Sequence, residues 1–403
     1  MRILLFYFLV LINIVPVAAQ RELSPEGQIS VITCGPWQGE LWSAFGHNAF
    51  RVYDPVQEID EAYNYGVFSF EPGFYLNFAR GYNYYMLGVY DYQDFKNTYI
   101  YYNRYVHEQV LNLTAAQKQE LYDYLQWNAL PENRKYLYDY FYDNCATRIR
   151  DVVINVLGDS VRFDGSYIKT NYSIRQLTDL YLQQQPWGDL GIDICLGLPM
   201  DKRASPYEYM FLPDYIESGF DHATIKTNGR DEPLVKATTI VYSQRDEDPM
   251  GGLPNPFYVF GFFASITLVI TIRDLKRKRL TQWFDIVLFS IVGLIGLLLT
   301  LLWFATDHKA AAKNFNLLWA LPTHLIIVFL VLKDYNWLKI YFLGTCIIMV
   351  AILVTWKGLP QQLNLFLVPM IIALLLRSFC QYSIRKSRAI ILVEKSKMNH
   401  VAR

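Results

Sequence analysis

Beyond Pro256 the chain carries five long apolar runs, and such runs must either cross a lipid bilayer or be buried against one another. They are Phe257 to Ile272, Phe284 to Phe304, Leu317 to Leu332, Ile340 to Trp356 and Leu363 to Phe379. Each approaches the roughly 20 residues needed to cross, the first, third and fourth being on the short side. The expectation over 256–380 is therefore an all-α bundle of five transmembrane helices.

At the other end, Ile3 to Val15 is apolar and leads through Pro16 to the small residues Val17-Ala18-Ala19. This reads as a signal peptide over 1–19, cut after Ala19; the alternative, an uncleaved anchor, would need a longer run. Charge supports export of the region from Gln20 onward. From Gln20 to Asn255 there are 19 Lys+Arg against 32 Asp+Glu, whereas the rest of the chain has 18 against 5. An acidic exported domain argues against nucleic acid as a partner. With that domain outside, Arg273 to Arg279, Lys333, Lys339 and the basic tail over 381–403 fall in the cytoplasm, and Lys309, Lys313 and Lys357 outside. Every loop then meets the positive-inside rule. Trp283, Trp303, Trp319, Trp337 and Trp356 sit near span ends, where an aromatic belt belongs.

The exported part, 20–223, reads as an α+β domain. Strands are expected over Gln28 to Cys34, His47 to Tyr53 and Ala62 to Phe68. On the second, His47, Ala49, Arg51 and Tyr53 share a face; on the third, Asn64 and Gly66 do. Thr114 to Gln117 is a capping box opening a helix that runs to about Asn128. A second helix should begin at Asn144 or Cys145 and stop before Gly158, with Ile149, Val152, Val153 and Val156 on its apolar face. The polar stretch 224–255 reads as a linker. The tyrosine clusters around Tyr82 to Tyr85 and Tyr99 to Tyr102 suit either strand packing or a surface near lipid headgroups.

Three cysteines fall in the exported domain, so an oxidising compartment leaves at least one unpaired. Cys145 stands in the first turn of a helix, where free N–H groups and the helix dipole favour a thiolate. Cys34 and Cys195 remain either to form a disulfide or to be buried thiols. His47 follows a glycine at the start of its strand, and a neutral imidazole near a thiol would raise its thiolate population. Asn64, on the neighbouring strand, is the candidate orienter of that ring. The competing account makes Cys145 and His47 unrelated core residues. No metal site or phosphate loop is expected, because neither Cys-x-x-Cys, His-x-x-x-His nor a glycine-rich loop occurs.

Phe45-Gly46-His47-Asn48-Ala49-Phe50-Arg51-Val52, Tyr63-Asn64-Tyr65-Gly66 and Asp143-Asn144-Cys145-Ala146-Thr147-Arg148 together resemble the Lnb-type periplasmic domain of bacterial membrane proteins. Asp307-His308 through Asn314, Asn316 and Leu317 to Pro322 resemble the membrane region of the same family. The resemblance implies a lipoprotein N-acyltransferase. The His-before-Cys order is similar to the permuted papain-like proteins, of NlpC type and of the lecithin–retinol acyltransferase group. The latter often have a second histidine as orienter where this chain has Asn64.

On that reading a phospholipid is the acyl donor and a diacylglyceryl-cysteine lipoprotein the acceptor, with no cofactor. Cys145, His47 and Asn64 are catalytic. Asn144 and Ser43 are candidates for holding the oxyanion or substrate, and His308 and Asn316 for the lipid or lipoprotein entrance. The protein is expected in the inner membrane, with its catalytic domain in the periplasm and its carboxyl end in the cytoplasm. Two other readings remain. A papain-like peptidase or amidase acting on cell-wall peptides would need one anchor at most, and a non-enzymatic envelope assembly factor would find few ionisable groups in the membrane beyond His324.

Overall fold

A computed structural model describes residues 21–70, 72–246, 252–333 and 335–401, with side chains as far as Ile390. The expected signal peptide lies outside the described residues. Strands β1 (Gln28–Cys34), β2 (His47–Asp54), β3 (Ile59–Val67), β4 (Tyr84–Asp91), β5 (Val106–Leu111) and β6 (Lys135–Leu137) precede the short β7 (Val161–Arg162), β8 (Thr224–Thr227), β9 (Arg230–Pro233) and β10 (Val235–Tyr242). Seven of them form one antiparallel sheet in the order β10-β5-β1-β2-β3-β4-β6, and β7, β8 and β9 form a second. Around them lie α1 (Phe74–Arg80), α2 (Tyr92–Tyr101), α3 (Ala115–Ala129), α4 (Cys145–Leu157), α5 (Ile174–Tyr181), α6 (Pro186–Cys195), α7 (Pro206–Tyr209) and α8 (Pro213–Asp221).

The period-two alternation of the strands sorts their side chains onto two faces. Ile29, Val31, Phe50, Val52, Tyr63 and Tyr65 meet Leu121 and Leu125 of α3, Ile149, Val152 and Val153 of α4, and Ile216 and Phe220 of α8. Each such side chain, fully buried, stabilises by about 1.5–3 kcal/mol before ordering entropy is counted. On the opposite face Ile32, Cys34, Ala49 and Ala62 pack under Tyr92 and Phe95 of α2. Thr114 caps α3 through a reciprocal bond with Gln117, as its spacing predicts.

The stretch 224–255 is more than a linker. As far as Tyr242 it forms β8, β9 and β10, and β10 pairs with β5 from Val235↔Leu111 to Tyr242↔Val106. Its residues from Lys236 to Ile240 are exposed, so this edge strand lacks the apolar alternation that marks a half-buried one.

Four described helices are long and apolar enough to cross a membrane: Pro256–Arg277, Gln282–Phe304, Leu338–Gly358 and Leu365–Ile390. They contain α9 (Pro256–Arg277), α10 (Gln282–Phe304), α12 (Leu338–Thr355) and most of α13 (Val368–Val401), which continues as helix into the expected tail. The third expected span is no long helix. Residues 315–331 are a 3-10 turn (Phe315–Leu318), a bend through Pro322, and the seven-residue α11 (His324–Leu330).

Proline has no N–H to give an α-helix, and this backbone instead nests against α10. A Cβ on Gly296 would lie 2.0 Å from the Ala320 carbonyl oxygen, so only glycine permits the approach. Irregular backbone at that depth is tolerated where protein encloses it. At one end of the bundle Arg385 donates to the Val331 and Lys333 carbonyls (2.6 and 2.8 Å), beside Arg377, which binds Asp285 and Asp274. The segment therefore traverses the bundle from the periplasmic-domain end to the opposite one. Trp283 and Trp337 are exposed as belt residues should be, but Trp319 is buried, with its Nε1 donating to Asn316 Oδ1.

Candidate active site

The sheet and α4 meet at Cys145. Asn144 is the N-cap: its Oδ1 accepts the Ala146 and Thr147 N–H groups, both at 2.9 Å, and Thr147 Oγ1 accepts the Asn144 N–H in return. Among the described residues this leaves the Cys145 N–H as the first-turn amide that no cap takes up. Asn144 Nδ2 donates to the Tyr140 and Phe211 carbonyls, both at 2.8 Å. Its amide is consumed in holding the turn, so Asn144 positions Cys145 and does not offer the oxyanion donor expected of it.

His47 reaches the same place from β2. The chain enters that strand through Gly46 at φ +84°, where a side chain would press within 2.9 Å of the Cys34 carbonyl oxygen. His47 Nε2 lies 2.6 Å from Asn64 Oδ1. The Cys145 thiol is near enough for each group to shift the other's titration, and with Nε2 engaged by Asn64 it is Nδ1 that remains open to it. Asn64 sits beside a β-bulge in β3, where the register with β4 shifts between Asn64 and Val67. Gly66 lies in that bulge, against Cys145. The bulge opens the sheet where the thiol, carried by the helix on one face, meets the imidazole on the other.

Electrostatics follow from this geometry. Burial pushes the Cys145 thiol up, but the adjacent imidazole and the Asn48 and Ala146 N–H groups outweigh it and hold the thiol below its ordinary value of 9.0. Burial likewise pushes His47 down, and the Cys145 sulfur and Asn64 together raise it above 6.5. Each group favours the charged form of the other, the condition for a thiolate–imidazolium pair. Tyr99 of α2 stacks on the His47 ring (centroids 5.9 Å apart), and the Arg104 guanidinium lies 4.6 Å above Tyr99. Sequence reasoning does not assign these two residues to the site; Tyr99 stands out only as part of a tyrosine cluster, and its distance in sequence from His47 hides the contact.

Ser43 ends a 3-10 turn before Gly46, its carbonyl accepting the Trp37 and Gly46 N–H groups. Cys34 and Cys195 are free thiols in different parts of the domain, Cys34 opposite His47 in the β1–β2 register and Cys195 at the end of α6, so the disulfide is not formed. Burial raises both thiols.

Asn316 is fully engaged, donating to the Asp193 and Ile194 carbonyls (3.1 and 3.2 Å) while accepting from Trp319. With Asn314, Gln361 and Asn364 it belongs to a joint between the membrane helices and α6. It is buried there, 1% exposed. His308 accepts or donates nothing at Cys145; its Nε2 contacts the Phe78 carbonyl of α1 at 3.1 Å.

In the same joint the Asp179, Asp189 and Asp193 carboxylates lie within 4.8 Å of one another, a spacing that could hold a cation. Arg175 and Asn364 already bind Asp193, and burial with mutual repulsion pushes Asp179 up to about 8 and Asp189 to about 6. We read this cluster as part of the joint.

Two family models match the chain: the Lnb N-terminal periplasmic domain over residues 17–179 and the Lnb transmembrane domain over residues 247–389. The first spans His47, Asn64 and Cys145, and the second takes in three of the four long apolar helices whole and the fourth as far as residue 389. No curated protein and no solved structure matches it.

Proposed function

The chain belongs to the Lnb family, a periplasmic domain followed by membrane helices, and from that premise we propose that it is a lipoprotein N-acyltransferase with a permuted papain-like catalytic domain. The observation that carries the reading is the Cys145, His47, Asn64 arrangement, a nucleophile paired with a base whose far nitrogen is fixed by an amide oxygen. Its attachment to several membrane helices supports a lipid substrate over a wall peptide.

The Cys145 thiolate attacks the carbonyl carbon of a phospholipid ester. The developing oxyanion is taken by the Cys145 N–H at the α4 N-terminus. The ester C–O bond breaks, His47 Nδ1 gives its proton to the departing glycerol oxygen, and a lysophospholipid leaves. The α-amine of a diacylglyceryl-cysteine lipoprotein then attacks the thioester and passes a proton to His47. As the C–S bond breaks, the amide is released and the thiolate–imidazolium pair returns. The catalytic domain works in the periplasm from the inner membrane, and the carboxyl end is cytoplasmic.

The test is to trap the intermediate. Full-length protein incubated with phospholipid and no lipoprotein should gain one acyl mass on Cys145 that neutral hydroxylamine removes, and lipoprotein should discharge it. An acyl group on another residue, or none, overturns the reading.

A further inference from the structure

Between β3 and β4 runs a segment that the domain does not bury. Helix α1 has no buried residue, and Phe70, Tyr75, Leu76 and Phe78 are 68%, 76%, 55% and 42% exposed. A contiguous apolar surface of this kind on a water-facing domain marks an interaction site. From Phe68 to Asn83 the charged side chains are Glu71 and Arg80 alone. The position of the helix says what covers it. The Arg80 carbonyl accepts the Asp307 N–H (2.9 Å), and Phe78 meets His308, in the loop that leaves the apolar α10 at Trp303 and Phe304. Helix α1 therefore stands at the rim of the membrane helices.

An aromatic path joins it to the nucleophile. Phe70 packs on Phe74 (centroids 4.9 Å), Phe74 on Phe68 (5.7 Å), Phe68 on Tyr85 (5.0 Å) and Tyr85 on Tyr138 (4.3 Å). Tyr138 and Cys145 then border the same Gly66, 3.5 and 3.6 Å from where its Cβ would stand.

We propose that α1 and its flanking aromatics lie in the bilayer surface, and that the ring path receives a phospholipid acyl chain on its way to Cys145. Aromatic side chains favour this depth, and Arg80 suits the headgroup layer. The insertion stands on the exposed surface alone; the passage of the acyl chain rests on the acyl-transfer reading.

Full-length protein carrying Leu76→Cys in a Cys145→Ala background, labelled with a nitrobenzoxadiazole dye and reconstituted in phosphatidylethanolamine–phosphatidylglycerol vesicles, tests the insertion. The same background without Leu76→Cys sets the baseline. Nitroxides on the lipid acyl chains should quench the dye, and aqueous dithionite should reach it slowly. Fast reduction without lipid quenching overturns the proposal and leaves a protein partner as the occupant. Separately, Phe70→Gln with Tyr75→Gln and Leu76→Gln should lower transfer from vesicle phospholipid at least about tenfold more than transfer from a soluble short-chain acyl thioester. Equal losses, or no loss, overturn the acyl path. Failure of the unmodified protein with both donors would instead sink the acyl-transfer reading and leave the dye result standing.

Discussion

The 2.6 Å contact between His47 Nε2 and Asn64 Oδ1 ties the imidazole of β2 to β3, and it leaves Nδ1 as the ring nitrogen open to the thiol. An amide oxygen accepts from Nε2–H in the neutral ring and more strongly from the imidazolium, so Asn64 helps raise His47 above its ordinary value. Activity should rise as Cys145 ionises below 9.0 and fall as the imidazolium loses its proton above 6.5. Asn64→Ala removes an acceptor of the charged ring, so the alkaline limb should move to lower pH and kcat/KM should drop about 10–100-fold. An unchanged alkaline limb in the pH–rate profile would separate Asn64 from the ring.

Thiol chemistry should single out Cys145 within the exported domain. Its neighbours favour the thiolate, whereas burial raises Cys34 and Cys195. Iodoacetamide at neutral pH, followed by peptide mass spectrometry, should modify Cys145 first. Because Cys34 and Cys195 are unpaired, prior reduction should leave the pattern as it was. Labelling of either one that depends on reductant would restore the disulfide.

The three central side chains are legible in the sequence because each sits where a local rule applies: Cys145 in the first turn behind an N-cap, His47 and Asn64 on the same faces of alternating strands. The features that escape it depend on contacts distant in sequence. The Asn144 amide reads as a free donor until the Phe211 carbonyl is placed against it, 67 residues away. Likewise β10 gains its order from β5 and not from its own pattern. Asn316 and the run from Leu317 onward look like an entrance and a span because composition does not report that Asp193 claims the amide or that Gly296 receives the bent backbone.

Loss of the Asn316 amide leaves the buried Trp319 Nε1–H without its partner, and takes one donor each from the Asp193 and Ile194 carbonyls, which keep Arg175 and Asn314. A buried polar group so stranded costs about 1–3 kcal/mol. Asn316→Ala should therefore lower the Tm of the purified, detergent-solubilised protein by several degrees, while each folded molecule keeps its KM for lipoprotein. A raised KM with unchanged Tm would return Asn316 to a substrate-binding role.

Topology follows from the broken third segment. Arg385 holds the Lys333 carbonyl at the bundle end shared by Asp274 and Asp285, opposite the joint with α6. With the basic loops placed in the cytoplasm, an odd number of crossings is expected. Reporter fusions after Arg279, at Lys333 and at Arg403 should report cytoplasm, and those near Ile240 and at Ala311 periplasm. A periplasmic Lys333 would make the bent segment re-entrant and reverse every position after it.

Covalent catalysis by a thiolate places the strictest demand on the site, because no neighbouring side chain can replace the nucleophile. Cys145→Ser keeps the size of the side chain and the Asn144 cap, so the fold should persist. A serine hydroxyl, however, gives up its proton far less readily than this thiol, and acyl transfer should fall by several orders of magnitude. His47→Ala should cost a comparable amount, since the thiolate it stabilises and the proton it delivers are both lost. On the proposed mechanism the two groups act as one unit, so the double variant should be scarcely worse than either single one. Initial rates of lipoprotein N-acylation for the four proteins, with membrane abundance and Tm measured alongside, close the cycle. Additive losses would mean that Cys145 and His47 serve different steps, and near-normal acylation by Cys145→Ser would place the acyl group on another residue.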